Sequence, residues 1–204
     1  MKTISSALAL LLCTTGTAAN AETIVNIQGF GDGISSGSGA NIYSYPVAVG
    51  TSVSLQNPVL VDFSAGDYLL SDAWGQPGAL YDTWNFQASA PGSWASHYVV
   101  ATPGTNGNYN ILLDAVSLLD TTCKNHFCAW DTQAQARDAF LATAPFHLHL
   151  DHATTLAFAS ADYYLPDNLG GISISVTAVP EPSLFVLYSL GLLGLGILRR
   201  KNPT

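Results

Sequence analysis

Between Glu22 and Pro180, short runs rich in Val, Ile, Tyr, Phe and Trp alternate with clusters of Gly, Pro, Asn and Asp, and this rhythm limits the chain to few architectures. Runs this short, closed at both ends by turn formers, suit strands and leave no room for amphipathic helices. The spacing predicts strands at 23–28, 43–49, 59–63, 67–73, 83–88, 97–101, 110–116, 146–150, 154–159 and 172–176. At 146–150 the alternation is strict, with Phe146, Leu148 and Leu150 on one face and His147, His149 and Asp151 on the other, as in a half-buried strand. Many short strands joined by turns predict an all-β domain, a single jelly-roll-like β-sandwich over residues 22–178. No charge run or Pro-rich linker divides that stretch, and a single core of its size buries roughly 70% of the surface of the unfolded chain. One segment reads differently. From Asp131 as N-cap to Leu141, strong helix formers are followed by Pro145 as a stop, which predicts a helix. Its polarity places it outside the core, as an insertion lying across the sandwich on Ala136, Phe140 and Leu141.

Charge narrows the partners. Only 10% of the chain is Asp, Glu, Lys or Arg. Between Glu22 and Pro180, Lys124 and Arg137 are the only basic residues against thirteen acids, a net charge of −11 before any histidine is protonated. Such a surface repels phosphate backbones and attracts divalent cations, so nucleic acid is excluded as a partner.

Both ends read as targeting segments. Lys2, the largely apolar stretch from Ile4 to Leu12 and the small residues of Ala19-Asn20-Ala21 make residues 1–21 a signal peptide, cut by signal peptidase before Glu22. At the other end, residues 183–198 carry no charge and run into Arg199-Arg200-Lys201. A helix over that run rises about 24 Å against a hydrocarbon core of about 30 Å, a short span that keeps the basic cluster on the cytoplasmic side. The leader places the domain on the opposite side, so the two ends agree in topology.

Pro180-Glu181-Pro182, a short apolar helix carrying Gly191, Gly194 and Gly196, and the arginine-rich tail resemble the PEP-CTERM sorting signal of Gram-negative bacteria. The likeness covers residues 179–204. It implies transient anchoring in the inner membrane, processing by an exosortase (a membrane cysteine protease), and release to the cell surface or the exopolysaccharide matrix. Prolines on both sides of Glu181 resist helix and sheet and hold the motif extended where a protease reads it. An ordinary C-terminal anchor behind a Pro-containing linker is the alternative.

Candidate chemistry is sparse. Cys123 and Cys128 form a close pair which, in an oxidising compartment, predicts a local disulfide stapling a loop; a zinc site there lacks ligands beyond His126. The segment 155–176, with an apolar strand, Asp162-Tyr163-Tyr164, Asp167-Asn168-Leu169-Gly170 and a final strand, resembles the calcium-binding end of galactose-binding jelly-roll lectins. That resemblance implies Ca²⁺ held by oxygens of Asp162, Asp167 and Asn168. An Asx-rich turn, with Gly170 and Gly171 supplying positive φ, explains the same residues without a metal. His147, His149 and Asp151 read either as a transition-metal patch or as a polar outward face. Among the aromatic residues Trp74, Trp84, Trp94, Trp130, Tyr81, Tyr98, Tyr163 and Tyr164, the loop contexts of Trp74, Tyr163 and Tyr164 make these three the candidates for stacking on sugar rings.

No Gly-x-Ser-x-Gly elbow, His-Glu-x-x-His or phosphate-cradling loop is present. Three functions remain, in order. The first is a non-enzymatic exported protein of the cell surface or exopolysaccharide matrix. A Ca²⁺-dependent carbohydrate-binding module follows, and then an extracellular polysaccharide-active enzyme.

Overall fold

The computed structural model describes residues 22–31, 33–34, 46–119, 128–162 and 164–180. The leader, the sorting signal from Glu181 onward, Cys123 and Tyr163 lie outside them. The described strands are, in chain order, β1 (Glu22–Gln28), β2 (Gly33–Ile34), β3 (Ser52–Val53), β4 (Leu55–Gln56), β5 (Val59–Phe63), β6 (Gly66–Asp72) and β7 (Trp84–Asn85). They continue with β8 (Trp94–Ala95), β9 (Tyr98–Pro103), β10 (Tyr109–Asp114), β11 (Phe146–Leu150), β12 (Thr154–Ser160) and β13 (Leu169–Val179). Helix α1 (Gln133–Leu141) falls between β10 and β11. The chain is all-β, as the strand rhythm predicts, and the strands form two sheets.

β13 is the spine of the first sheet. It pairs antiparallel with β1 from Gly171 to Thr177 and with β6 from Ile174 to Val179, so the residues common to both registers have a partner on each edge. The order is β11-β6-β13-β7-β8, with β1 on the free side of β13. The second sheet runs β3-β10-β9-β12-β2-β4, and β5 also pairs with β12.

Ile172, Ile174 and Val176 of β13 point inward with Val25 and Ile27 of β1, and meet Tyr98, Val100, Leu156 and Phe158 of the second sheet in the main core. Period-two alternation does the rest on β13, where Ser173 and Ser175 occupy the opposite face. The second sheet is covered on both sides. Its outer positions on β9 and β12 are small (Ala101, Ala157, Ala159), which lets Val47, Val53 and Leu55 pack close over them as a second apolar layer. A register shift in β10 between Ile111 and Leu113 sends these two residues to opposite layers, although two residues apart in a regular strand they would share a face.

Several sequence expectations are corrected by this arrangement. Residues 46–49 are not a strand: Val47 gives its N–H to the Asp114 carboxylate at 2.7 Å, a side-chain partner in place of a ladder. The expected strand at 83–88 shrinks to β7, because Asn85 Oδ1 takes the N–H groups of Gln87 and Ser89 and turns the chain. The expected strand at 110–116 ends at Asp114, whose other carboxylate oxygen accepts the Val116 N–H and caps a single 3-10 turn, Ala115–Leu118. The final strand is longer than the apolar run alone indicates. In α1 the N-cap is Thr132, not Asp131: its hydroxyl accepts the Gln135 N–H while the Gln135 amide oxygen accepts the Thr132 N–H, a capping box. Ala136 and Phe140 are buried as expected, with the Phe140 ring edge-on to Tyr98, but Leu141 is 50% exposed.

Burial pushes the Asp114 carboxyl up to about 6, against backbone hydrogen bonds from Val47 and Val116 that pull it down. Its folded value therefore lies above the ordinary 3.8, so its contribution to stability is complete below 3.8 and is lost as pH rises through about 6. Asp114→Asn is expected to flatten this part of the stability profile in urea unfolding followed from about pH 4 to pH 7. An unchanged pH slope in the variant contradicts the assignment.

Candidate binding cleft

Three elements converge beside the first sheet to form a cleft of about 680 Å³. The first is the loop between β6 and β7. It leaves β6 at Asp72, whose carboxylate accepts the Trp74 N–H, and turns at Gly75 and Gly78, both with positive φ. It is then tied to the outer face of the sheet. Ser173 on β13 receives the N–H groups of Leu80 and Tyr81 on its hydroxyl oxygen, at 3.1 and 2.9 Å, and gives its own hydrogen to Asn26 Oδ1 at 2.6 Å. The Asn26 amide nitrogen reaches Gly78 O at 3.0 Å. Two outward polar side chains on neighbouring strands thus hold the loop flat, and glycines beneath it make the approach possible. A Cβ on Gly171 would stand 2.7 Å from the Tyr81 ring and would collide with Ile27 O, and one on Gly170 would stand 2.7 Å from Thr83 O.

The second element is β8, whose Trp94 exchanges backbone hydrogen bonds with Trp130 at 2.8 and 3.2 Å. The third is the start of α1. Gln133 and Arg137, one turn apart, share the helix face on the cleft, while Ala136 and Phe140 on the adjoining face are buried in the core. Gln133 Nε2 donates to Asp82 Oδ1 at 2.8 Å, linking helix to loop.

The lining is aromatic and polar together. Trp74, 44% exposed, forms the rim with Tyr81 and Trp94, while Asp82, Gln133 and Arg137 bring charge and amide groups. Thr83 lines the cleft although it is only 1% exposed, and its hydroxyl has no hydrogen-bond partner within the protein. A buried hydroxyl without a partner costs free energy unless a ligand or water satisfies it. Flat apolar faces combined with hydroxyl, carboxylate and amide groups can hold a polyhydroxylated ring.

The other sequence candidates fall elsewhere. Asp162, Asp167 and Tyr164 line a separate cavity of about 320 Å³ with Trp84, Phe86 and His97. Asp162 Oδ1 accepts the Tyr164 N–H at 3.2 Å, which places the Asx turn there and not at Asp167 or Asn168. Asp167 Oδ1 is buried with no partner. Asn168 is buried and gives its amide hydrogen to Gly29 O at 2.8 Å, so one arm of that side chain is committed to the strand end. Gly170 has φ +76, while Gly171 is used for space. His97 is pulled down to about 4 by burial, so it is neutral at physiological pH.

Trp84, Trp130 and Tyr98 are core residues; the Trp84 indole N–H bonds His97 O at 3.0 Å. His149 stands between Asp67 Oδ1 at 2.7 Å and Asp151 Oδ1 at 3.3 Å, exposed on β11, and the Asp67 carboxylate raises its pKa. This is a carboxylate–imidazole bridge across β6 and β11. Among the described residues no group of three or more His, Cys, Asp or Glu side chains is placed to hold a metal ion. Cys128 is buried near Trp130 and Ala136, and its expected partner Cys123 lies outside the described residues.

Of the cleft residues, Trp74 was legible from its loop context. Thr83, Gln133 and Arg137 were not, although the four-residue interval between Gln133 and Arg137 on an expected helix marked a shared face. Comparison with protein-family models, characterised proteins and solved structures finds no match for this chain. What the fold and the cleft define is a class: an all-β domain of two packed sheets with an aromatic and polar cleft beside one of them.

Gly171→Ala is expected to destabilise the domain by about 1–3 kcal/mol in urea unfolding, because the methyl group collides with the Ile27 carbonyl of β1 and crowds the Tyr81 ring. An unchanged unfolding midpoint contradicts the packing described for the cleft floor.

Proposed function

We propose that this protein is an exported component of the cell surface or exopolysaccharide matrix, and that its β-domain binds carbohydrate in the Trp74 cleft without cleaving it. The observation that carries the binding half is that Trp74, Tyr81 and Trp94 line one cleft together with Asp82, Gln133 and Arg137. Aromatic faces supply contact area at low entropic cost, and the polar groups between them suit sugar hydroxyls. The carbohydrate would be exopolysaccharide. The export half rests on the ends of the chain: a leader cut before Glu22, and exosortase processing at Pro180-Glu181-Pro182 with Arg199, Arg200 and Lys201 behind the membrane helix. Its support in the fold is positional, since β13 closes at Val179, directly before the motif. Among the described residues no helix is long and apolar enough to cross a membrane; the expected span lies beyond them. A disulfide between Cys123 and Cys128 closing the loop ahead of Trp130 belongs to the same reading of an oxidising destination.

A Ca²⁺-dependent, jelly-roll lectin-like module is the second reading. One observation favours it: Asp162 and Asp167 line one cavity, and an oxygen of Asp167 is buried there without a partner. In that reading Asp162, Asp167 and the Asn168 carbonyl oxygen hold the ion and Tyr164, with Tyr163, meets the sugar.

Glycan arrays probed with and without EDTA separate the two. The Trp74 cleft predicts binding that survives EDTA and falls about tenfold or more, equivalent to about 1.4 kcal/mol, in Trp74→Ala. Binding abolished by EDTA and by Asp167→Ala, and indifferent to Trp74→Ala, selects the calcium site instead. For sorting, alanine at both Pro180 and Pro182 is expected to leave membrane insertion intact and to block release in cells that make exosortase. Release at the normal rate contradicts recognition of the motif.

A further inference from the structure

We infer that the cleft selects neutral sugar residues over uronate-bearing ones, and that Asp72 is the residue that sets this selectivity and makes it depend on pH. The inference rests on the carbohydrate-binding reading of the cleft and names its ligand class.

Asp72 ends β6 two residues before Trp74 and stands behind the cleft lining, tied to it through the Trp74 N–H. One of its carboxylate oxygens accepts the Trp74 N–H, and the other is buried with no hydrogen-bond partner. The charged and titratable groups around it come from three elements. Asp82, on the loop, is of like charge, and Arg137, on α1, is of opposite charge. Tyr98, on β9, is the third, and burial together with Asp72 pushes its phenol up so that it stays neutral. On β13, opposite Asp72 in the ladder, stands the uncharged Ile174.

Arg137 is the only arginine or lysine among the described residues. It faces a surplus of carboxylates, since its Nε and Nη2 both bond Asp138 Oδ1, at 3.0 and 2.8 Å, while Asp72 and Asp82 stand on the loop side. Three carboxylates against one guanidinium leave the neighbourhood of the cleft negative, and ionisation of Asp72 doubles the surplus from one negative charge to two. A ligand carboxylate entering there meets like charge, with the half-buried Asp72 less screened by water than the exposed Asp138. A neutral ring meets no such barrier, and the exposed Gln133 amide, beyond its bond to Asp82, can meet its hydroxyl groups.

Burial, with the Asp82 charge adding to it, holds the Asp72 carboxyl up at about 6, against the Trp74 hydrogen bond and Arg137. Acidification below that value therefore removes one negative charge beside the cleft and gives the buried oxygen a hydrogen to donate. Sugar carboxylates, with ordinary acidity, stay ionised over the same interval. Discrimination against uronates should thus relax in mild acid.

The test uses matched polymers, galactan against polygalacturonate and mannan against polymannuronate, in affinity electrophoresis of the purified protein at pH 7.5 and pH 5. The inference expects the neutral member of a pair to bind at pH 7.5 at least tenfold more tightly than its uronate counterpart, with the ratio falling several-fold at pH 5. Asp72→Asn, which keeps an acceptor for Trp74, is expected to show the relaxed ratio at both pH values. Asp82→Asn is expected to lower the ratio but to keep its pH dependence, a difference that a merely structural role for Asp72 does not produce. Equal or tighter uronate binding at pH 7.5, or unaltered pH dependence in Asp72→Asn, overturns the inference while leaving the cleft as a glycan site. Absence of binding to every polymer by a protein with an unchanged unfolding midpoint overturns the carbohydrate reading itself and the inference with it.

Discussion

The Ser173 hydroxyl is the point on which the described site depends. It stands on the outer face of the central strand, accepts two consecutive backbone N–H groups from the loop between β6 and β7, and donates to Asn26 on the neighbouring strand. Each such hydrogen bond contributes about 1 kcal/mol net, but their joint effect is geometric. They fix Leu80 and Tyr81 on the sheet, which places Trp74 before them and Thr83 after them around one cleft. An outward-facing serine in a regular strand is ordinarily a solvated residue. Here it is buried, because the loop uses it as an anchor.

The same strand serves two masters through its alternation. Ile172, Ile174 and Val176 fill the main core, while Ser173 and Ser175 organise the other face, with Ser175 bonded to Glu22. Glycines at 170 and 171 remove the side chains that would hold the loop away. Core and site are therefore written on opposite faces of one segment, and a one-residue slip of its register would exchange them. This coupling ties the shape of the cleft to correct sheet assembly.

Where a strand is long and half-buried, its pattern was legible in the sequence: 59–63 and 146–150 match β5 and β11 end to end. Strands of two residues, such as β2, β3 and β4, carry no period and escaped. The segment at 46–49 misled because Val47 and Val49 alternate as in a strand, yet a buried carboxylate satisfies the Val47 N–H. The start of β13 was read as a turn because Gly170-Gly171 is turn chemistry, although the requirement met by Gly171 is close approach to the Ile27 carbonyl and the Tyr81 ring. Of the cleft lining, Trp74 was singled out in the sequence, with Tyr81 and Trp94 named only among its aromatics. The cleft's other groups come from an expected helix, a short strand and a residue within a strand run, and only the tertiary fold brings them together. Asn26 and Ser173 were invisible for a related reason, since an outward polar residue on a strand looks the same whether it meets water or a loop.

The central claim, that carbohydrate occupies the cleft bordered by Trp74 and Trp94, is tested most directly by the indole N–H resonances of the four tryptophans. In a ¹H–¹⁵N correlation spectrum titrated with a glycan found on the array, the indole signals of Trp74 and Trp94 are predicted to shift together and saturably. That of Trp84, bonded to His97 O in the core, is predicted to stay in place. Shifts at Trp84 with Trp74 and Trp94 unmoved would place the ligand in the cavity of Asp162, Asp167 and Tyr164 and contradict the account.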